Sequence, residues 1–412
     1  MKKTLLGIVV AMIIALPVLA KMPKINVGGE VKVSAEEINN IDFKNTDPVG
    51  LNDDKDSHVK HRVRINLDAE LSDGIGAHFC IQKNDDASTY WARGERTLQE
   101  LQDKLTLRHA YLTVKDVGGL VDLTLGRQGI GVEDRELVMR RDVDAVKVET
   151  KLANLSLTGI CGKIGESGVS KDTDTDLQGI TGTVKLPIIK GVDLTAYGYR
   201  KIERASNKDA SKKTNVYGAK VSGKLDVGSA LKYSAEYCLE SGTPSDTGKE
   251  RDAKALRVCF GYETDVEGLG ALAIEGSYLK MSGKKEDKTA YEGIAQDLDY
   301  YAALLDENEG VLAGKNGRKD ININAEITPE AIENITLGIS YTKFTSAEKA
   351  DGKTDLGSEL DLSVTYEYSK KTSFGLTYAR FTPGEVQKAP SPGPGKGNDA
   401  ATMIKCELLT KF

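Results

Sequence analysis

Apolar and polar residues alternate along much of the chain, in segments of roughly ten residues that end in turn-forming sequence. Between Val59 and Glu70, apolar side chains occupy every second position except that of His61, and charged or amide side chains occupy all the positions between them. The segments 320–327 and 359–367 show the same alternation. Because a β-strand points successive side chains to opposite faces, each segment predicts a strand with one apolar and one charged face. The charged faces are too polar for the core of a soluble protein.

The connectors between these predicted strands alternate in length. The short connectors lie near 72–74, 116–119, 152–154, 187–191, 226–228, 264–270, 328–333 and 369–372. The long connectors lie near 38–58, 84–104, 131–141, 164–176, 203–213, 240–252, 282–318, 345–356 and 382–399. Short turns on one rim and long loops on the other are typical of bacterial outer-membrane barrels. The pattern predicts an all-β chain that forms a transmembrane antiparallel β-barrel of about 18 strands, with 16 as the alternative, short periplasmic turns and long extracellular loops.

Composition alone would suit a soluble protein, since 39% of the residues are hydrophobic and 29% are charged. A barrel gives the same averages, because lipid-facing and water-facing residues alternate within any window. A soluble β-sandwich or β-solenoid could also alternate. A sandwich of this length usually divides into domains, and no linker is recognisable within 21–412.

The segment 1–20 predicts a cleaved secretory signal peptide. It begins with two lysines, continues with an apolar run and ends in the small-residue sequence Val18-Leu19-Ala20. The apolar run is shorter than the roughly 20 residues of a membrane-spanning helix. We therefore expect 21–412 to form a single transmembrane β-barrel domain.

The chain offers little for enzymatic or metal chemistry. It contains no G-x-S-x-G and no H-E-x-x-H motif, and its four histidines have no spacing typical of a metal site or a catalytic triad. The five cysteines are far apart and never form C-x-x-C, which favours isolated thiols and leaves one disulfide open as the alternative. The net charge of −6 argues against nucleic acid as a partner. No catalytic residue, cofactor or metal site is predicted.

The charged faces of the predicted strands differ between the two halves of the chain. The early strands are predicted to point basic residues into the lumen: Lys60, Arg62, Arg64, Arg108, Lys147 and Lys151. The late strands are predicted to point acidic residues inward: Glu275, Asp320, Glu326, Glu359, Asp361 and Glu367. Charges in a narrow, low-dielectric passage act strongly on solutes, so we expect a transverse field with a basic and an acidic arc. The alternative is that these are solvated wall charges paired with their neighbours.

The long connector 282–318 carries an apolar stripe at three- and four-residue spacing. Its members are Tyr291, Ile294, Leu298, Tyr301 and Leu305. This spacing predicts an amphipathic helix. The helix would act as a gate or plug in the lumen, or would lie on the neighbouring outer loops.

The last predicted strand has an apolar face that ends in an aromatic residue. That face carries Ile404, Cys406, Leu408 and Phe412. An alternating final strand that ends in Phe resembles the signal that outer-membrane barrels present to the barrel-assembly machinery.

The chain resembles bacterial porins of the substrate-specific and alginate-export types. The resemblance is carried by the strand series and by the hairpin that joins Leu107–Leu112 to Leu123–Gln128. It implies a passive, water-filled outer-membrane channel for ions and small hydrophilic solutes, in contact with membrane lipid and lipopolysaccharide. Homotrimers are common among porins. A structural or adhesive barrel with a plugged lumen is the alternative function.

Overall fold

The fold is a single closed sheet of 18 antiparallel strands. The computed structural model describes residues 23–40, 55–84, 105–131, 137–166, 173–186, 191–205, 211–226, 230–243, 251–285, 288–294, 302–307, 317–350, 352–386 and 399–412. Each strand pairs with the next along the chain, and β1 pairs with both β2 and β18, which closes the barrel. The strands are β1 Lys24–Asn39, β2 Lys55–Ser72, β3 Ile75–Asn84, β4 Leu105–Val117, β5 Val121–Gly131, β6 Arg140–Leu152, β7 Leu155–Gly165, β8 Thr175–Lys185, β9 Val192–Glu203, β10 Lys212–Asp226, β11 Ala230–Gly242, β12 Arg251–Val266, β13 Gly270–Met281, β14 Arg318–Pro329, β15 Ile335–Ala350, β16 Lys353–Ser369, β17 Thr372–Pro383 and β18 Ala401–Lys411.

The barrel is apolar outside and polar inside. On β14, Ile321 and Ile323 are 54% and 57% exposed on the outer face, whereas Asp320 and Asn322 are 7% and 2% exposed on the inner face. This distribution is the reverse of that in a soluble protein. In a closed barrel every strand has two hydrogen-bonded neighbours, so an apolar outer belt can face lipid without an unpaired sheet edge.

The predicted architecture is confirmed in strand number and in the alternation of side chains, with one error in the connectors. The segment 345–356 is not a long loop. β15 continues to Ala350 and β16 begins at Lys353, with register irregularities on both sides of Thr345. The segment extends beyond the apolar belt, so neither of its faces is apolar and the alternation that marks a strand is lost.

The predicted helix of the connector between β13 and β14 is only partly present. Residues 291–294 form extended chain and a turn rather than helix, and the described helix, α1, comprises Ala303–Glu307. Leu298 and Tyr301 lie outside the described residues, as does the predicted signal peptide. In the described ranges, no helix is long and apolar enough to span a membrane.

The barrel closes where the end of the chain meets β1. The backbone N–H groups of Gly29 and Phe412 each donate to the other residue's carbonyl oxygen, at 3.1 Å. The Phe412 ring covers Gly29 so closely that a Cβ at position 29 would lie 2.6 Å from the ring Cζ. The outward position of the apolar face of β18 agrees with the sequence pattern, since Ile404, Leu408 and Phe412 are exposed.

All five cysteines are free thiols, in agreement with the interpretation that they occupy isolated positions.

Candidate channel lumen

The strand register places the predicted basic and acidic residues on the inner face of the barrel. On β16, Leu360 and Leu362 are exposed on the outside, so Glu359 and Asp361 point inward. The same alternation holds for the other predicted positions on the regularly paired strands β2, β6, β13 and β14. Their facing therefore follows from the sequence, whereas their contacts depend on the neighbouring strands.

Three arginines form a cluster on the inner wall of β2 and β4. Arg62 Nη2 and Arg64 Nη1 lie 2.7 Å and 3.1 Å from the same carboxylate oxygen, Oε1 of Glu30. Arg64 and Arg108 both donate to the side-chain oxygen of Gln82, Arg108 at 3.2 Å. These residues, Arg62, Arg64 and Arg108, are called the arginine cluster below. Glu30 and Gln82 bridge the three guanidinium groups, and Asp142 lies against Arg108. Three guanidinium groups with two carboxylates leave the cluster with excess positive charge.

A β-bulge brings Arg108 into this cluster. The pairing of β3 with β4 shifts by one residue between Cys80 and Ile81, so that Arg108 is the extra residue of β4. Arg108 Nε and the Nε2 atom of His109 both lie against Asp142, at 3.2 Å and 2.9 Å. The bulge explains why the alternation of the sequence slips at this point, and two successive side chains reach the same carboxylate.

Two of the other three predicted basic residues are closely paired with acids. Lys60 Nζ lies 2.8 Å from Glu36, a buried carboxylate that Lys405 also approaches at 3.4 Å. Lys147 pairs with Glu149 at 2.9 Å. These pairs reduce the local field, so the excess positive charge of the basic arc lies on the arginine cluster and on Lys151, which is exposed near the short turn after β6.

Several of the predicted acidic residues have partners as well. Asp320 pairs with Arg318 at 2.5 Å. Glu359 and Asp361 accept the backbone N–H groups of Leu304 and Ala303, at 2.7 Å and 3.1 Å. Two inward carboxylates of β16 thus bind the first turn of α1, where backbone N–H groups have no partner within the helix.

An open cavity of about 590 Å³ lies along the inner wall toward the short-turn rim. Its lining includes three lysines of β10 and β11 and three glutamates of β12, β13 and β14. These are Lys220, Lys224, Lys232, Glu263, Glu275 and Glu326. Two of the predicted inward acids therefore face a stretch of water-accessible wall that carries both signs of charge.

Toward the long-connector rim, an apolar cluster fills part of the lumen. It joins inner-wall residues of β5 to β13 to two connectors, one between β5 and β6 and the other between β13 and β14. This first lumenal cluster comprises Ile130, Leu137, Val138, Met139, Val143, Ala145, Ile160, Leu177, Tyr197, Tyr199, Val216, Cys238, Ala253, Ala255, Leu279, Met281, Tyr291 and Ile294. The two connectors also bond to each other, since the Ile294 N–H donates to the Val138 carbonyl at 3.0 Å.

A buried carboxylate fixes this part of the long connector to the wall. Glu240 Oε2 accepts the backbone N–H groups of Glu292 and Gly293, at 3.0 Å and 2.9 Å. Its Oε1 pairs with Arg251 at 2.7 Å, and Arg251 also reaches Glu292 at 3.0 Å. Burial raises the pKa of the Tyr291 phenol well above its ordinary value.

A second apolar cluster lies under α1. The second lumenal cluster comprises Ile38, Ala302, Leu304, Leu305, Phe344, Leu356, Ala379, Phe381, Ala401 and Met403. Its wall residues belong to β1 and β15 to β18. The parts of the long connector that contain Tyr291, Ile294 and α1 therefore lie inside the barrel, against wall segments on both sides of β14.

Of the predicted stripe, Tyr291, Ile294 and Leu305 are buried in these two clusters. Sequence reasoning missed Glu240 and Arg251, which hold the connector, and Glu30 and Asp142, which pair with the arginine cluster. A buried Glu at an inward strand position has the same sequence signature as a solvated one. In the described ranges, no group of three or more His, Cys, Asp or Glu side chains is arranged to hold a metal ion.

The comparison with solved structures yields one consistent architecture. The chain is similar to Pseudomonas aeruginosa OccD3 (OpdP), with 14% identity, 98% of this chain and 97% of that chain covered and a TM-score of 0.57. It is similar to OccK9 (OpdG) of the same organism, with 11% identity, coverage of 94% and 98% and a TM-score of 0.61. The P. aeruginosa outer membrane protein OpdK gives 9% identity, coverage of 94% and 99% and a TM-score of 0.58. This chain has the fold of these outer-membrane barrels.

At such low identity the likeness concerns the fold alone. OpdK has also been crystallised with vanillate. No protein-family model matches the chain, and no curated protein matches it in sequence.

Proposed function

We propose that the chain is an outer-membrane porin, a passive water-filled channel for ions and small hydrophilic solutes. The observation that carries this proposal is the closed barrel with an apolar outer face and a charged inner wall. The likeness in fold to OpdK supports the same location. In this proposal the barrel-assembly machinery inserts the chain, and its outer belt contacts membrane lipid and lipopolysaccharide.

Within this channel, the arginine cluster provides the solute-contacting wall. The wall residues of the two lumenal clusters belong to β5 to β13, β15 to β18 and β1, whereas the arginine cluster lies on β2 and β4. Guanidinium groups bind carboxylates with paired hydrogen bonds. We therefore favour small anions with a carboxylate group as solutes, the chemical class to which the vanillate of the OpdK crystal belongs.

The acidic arc supplies the opposite charge on another part of the inner wall. Asp320, Glu326 and Glu367 on β14 and β16 lie on a different arc of the closed sheet from β2 and β4. We infer a transverse field whose basic side is the arginine cluster. Pairing by Glu30, Asp142 and Arg318 weakens both sides, but three guanidinium groups with two carboxylates leave excess positive charge on the basic side.

Ion selectivity in planar bilayers tests the proposal. The double variant Arg62→Ala/Arg64→Ala should shift the permeability ratio toward cations by at least about twofold, because two fixed positive charges leave the passage. The matched control is Arg200→Ala, which removes an exposed arginine on the outer face of β9 that donates to Asn215 at 2.7 Å. An unchanged ratio in the double variant would contradict the role of the arginine cluster.

A structural barrel with a plugged lumen is the second candidate. It is favoured by the two lumenal clusters, in which connector residues bury apolar side chains inside the barrel. Reconstituted protein that is folded but carries no ion current at any voltage would support the plugged barrel and reject the porin.

A further inference from the structure

Three lysines lie side by side on the outer face of the barrel, near the long-connector rim. Lys254, Lys280 and Lys319 occupy the adjacent strands β12, β13 and β14. Their neighbours in sequence point inward, since Ala253 and Ala255 are 1% exposed and Leu279 and Asp320 are buried. The side chains of these three lysines, the lysine triad, therefore point outward.

The register places two of these lysines directly opposite each other. Lys280 is the Cα partner of Lys319 in the pairing of β13 with β14. Lys280 pairs with Leu256 on its other side, which puts Lys254 at the diagonal position on β12. Directly opposite side chains have Cβ atoms roughly 5 Å apart and diagonal ones roughly 7–8 Å apart, and like charges that face each other destabilise a strand pair. An anion bound between the ammonium groups would remove this repulsion.

The protein itself supplies little negative charge at this place. Within the described residues, neither Lys280 nor Lys319 pairs with a carboxylate. Asp252, the acid that lies near Lys254, is already bonded to Lys288. By contrast, the outward-facing Arg127 and Lys343 have acidic partners, Asp144 and Asp355, at 3.1 Å and 2.6 Å.

The lysine triad lies at the edge of the apolar belt. The next outward-facing residues toward the short turns are Leu256, Tyr278 and Ile321, and Tyr278 pairs directly with Ile321. Ile321 is 54% exposed. Cations immediately above an apolar surface match an amphiphile whose anionic head group lies next to its acyl chains.

We propose that the lysine triad binds the phosphate groups of the phosphorylated glycolipid of the outer leaflet, the lipid A part of lipopolysaccharide. The ammonium groups contact the phosphates, and the acyl chains lie along Leu256, Tyr278 and Ile321. The site is formed by β12, β13 and β14 without any residue of the lumen. It rests on the proposed location in the outer membrane, but it does not depend on whether the lumen conducts.

Binding of lipid A to the full-length protein in an uncharged detergent tests this site. The double variant Lys280→Gln/Lys319→Gln keeps polar side chains that are one atom shorter and removes two charges. Its affinity for diphosphorylated lipid A, measured by native mass spectrometry, should fall about thirtyfold, at about 1 kcal/mol for each cation beside an anionic head group. The matched control is Lys370→Gln/Lys371→Gln, which removes two exposed neighbouring lysines in the turn at the other rim and should bind like the unaltered protein. An equal loss of lipid A affinity in the control would show that any surface lysines attract the lipid non-specifically, and it would overturn the proposal.

Further ligands identify the source of the phosphate. Lipid A without phosphates should bind the unaltered protein and the double variant equally weakly. Displacement of lipid A by millimolar inorganic phosphate would indicate a small-anion site, and equal binding of phosphatidylglycerol would indicate a general anionic-lipid site. Either result would overturn the assignment.

Thermal unfolding without lipid provides a second readout, since the double variant should be at least as stable as the unaltered protein once the repulsion is removed. A less stable variant would show that the lysines serve the fold rather than a ligand. Conductance should be the same in both proteins, so failure of the channel proposal would be recognised separately.

Discussion

Glu240 in the wall accepts the backbone N–H of Gly293 in the long connector at 2.9 Å. Together with the bond to Glu292, this contact attaches the connector to the barrel wall through one buried side chain, in addition to the bond between Ile294 and Val138. We therefore expect the opening of the lumen at the long-connector rim to depend in part on this carboxylate.

Glu240→Gln should loosen the connector and raise single-channel conductance. The amide loses the negative charge that favours both N–H donors and Arg251, and a hydrogen bond to a charged group contributes about 1.5–3 kcal/mol. The control is Glu236→Gln, a buried glutamate of the same strand that accepts from the Tyr197 hydroxyl instead of the connector. Equal conductance in both variants would show that the Glu240 contact does not limit the opening.

Replacing Leu304 and Leu305 by Ala should release α1 from the second lumenal cluster. Both side chains are fully buried, and a buried Leu→Ala change costs about 2–5 kcal/mol. Because the strand ladder is unaffected, the unfolding temperature of the barrel should change little, while protease cleavage near α1 should become faster. Leu269→Ala, in an exposed short turn, is the control. If the variant resists protease like the unaltered protein, contacts other than those of Leu304 and Leu305 keep α1 in place.

Alkaline pH should release the segment around Tyr291. Burial raises the pKa of this phenol, so the docked connector favours the neutral form. The stabilisation is complete below about pH 10, the ordinary pKa of a tyrosine, and is lost as the pH rises above it toward the raised value. Conductance of the unaltered protein should increase above about pH 10, and Tyr291→Phe should show a smaller increase. Identical pH profiles for the two proteins would show that ionisation of Tyr291 does not release the connector.

Gly29→Ala should impair closure of the barrel. The added Cβ would overlap the Arg64 carbonyl oxygen and lie 2.6 Å from the Phe412 ring, so that β1, β2 and the end of the chain would have to separate. Gly159→Ala is the matched control, because a Cβ there meets no atom within 4 Å. The folded fraction, measured by the heat-dependent mobility of barrels in gel electrophoresis, should fall only for Gly29→Ala. A normal folded fraction would mean that the closing strands adjust to the methyl group.

The sequence predicts the wall of this protein well, because lipid imposes a strict demand on every second residue. Ile321 and Ile323 must be apolar, and the residues between them must then face the lumen, so facing can be inferred without knowing any neighbour. Contacts across strands depend on register, which a single strand does not reveal. Glu30 is far from Arg64 in sequence and meets it only because β1 pairs with β2.

The conformation of the long connector between β13 and β14, in contrast, could not be predicted from its sequence. Tyr291 and Ile294 have helical spacing, yet the Ile294 N–H donates to Val138 and the Gly293 N–H to Glu240, instead of to carbonyl groups of their own segment. Contacts with the wall and with a second connector override the local helical preference. No pattern within 282–317 identifies those partners.

The bulge at Arg108 has a consequence for how this wall can change during evolution. In a regular strand, inserting or deleting one residue exchanges the faces of every residue on one side of the change. Arg108 is the extra residue of its strand, so its deletion would leave Leu107 and His109 facing as they do now. A lumenal cation can thus be gained or lost at this point in a single step, without rebuilding the lipid-facing surface around it.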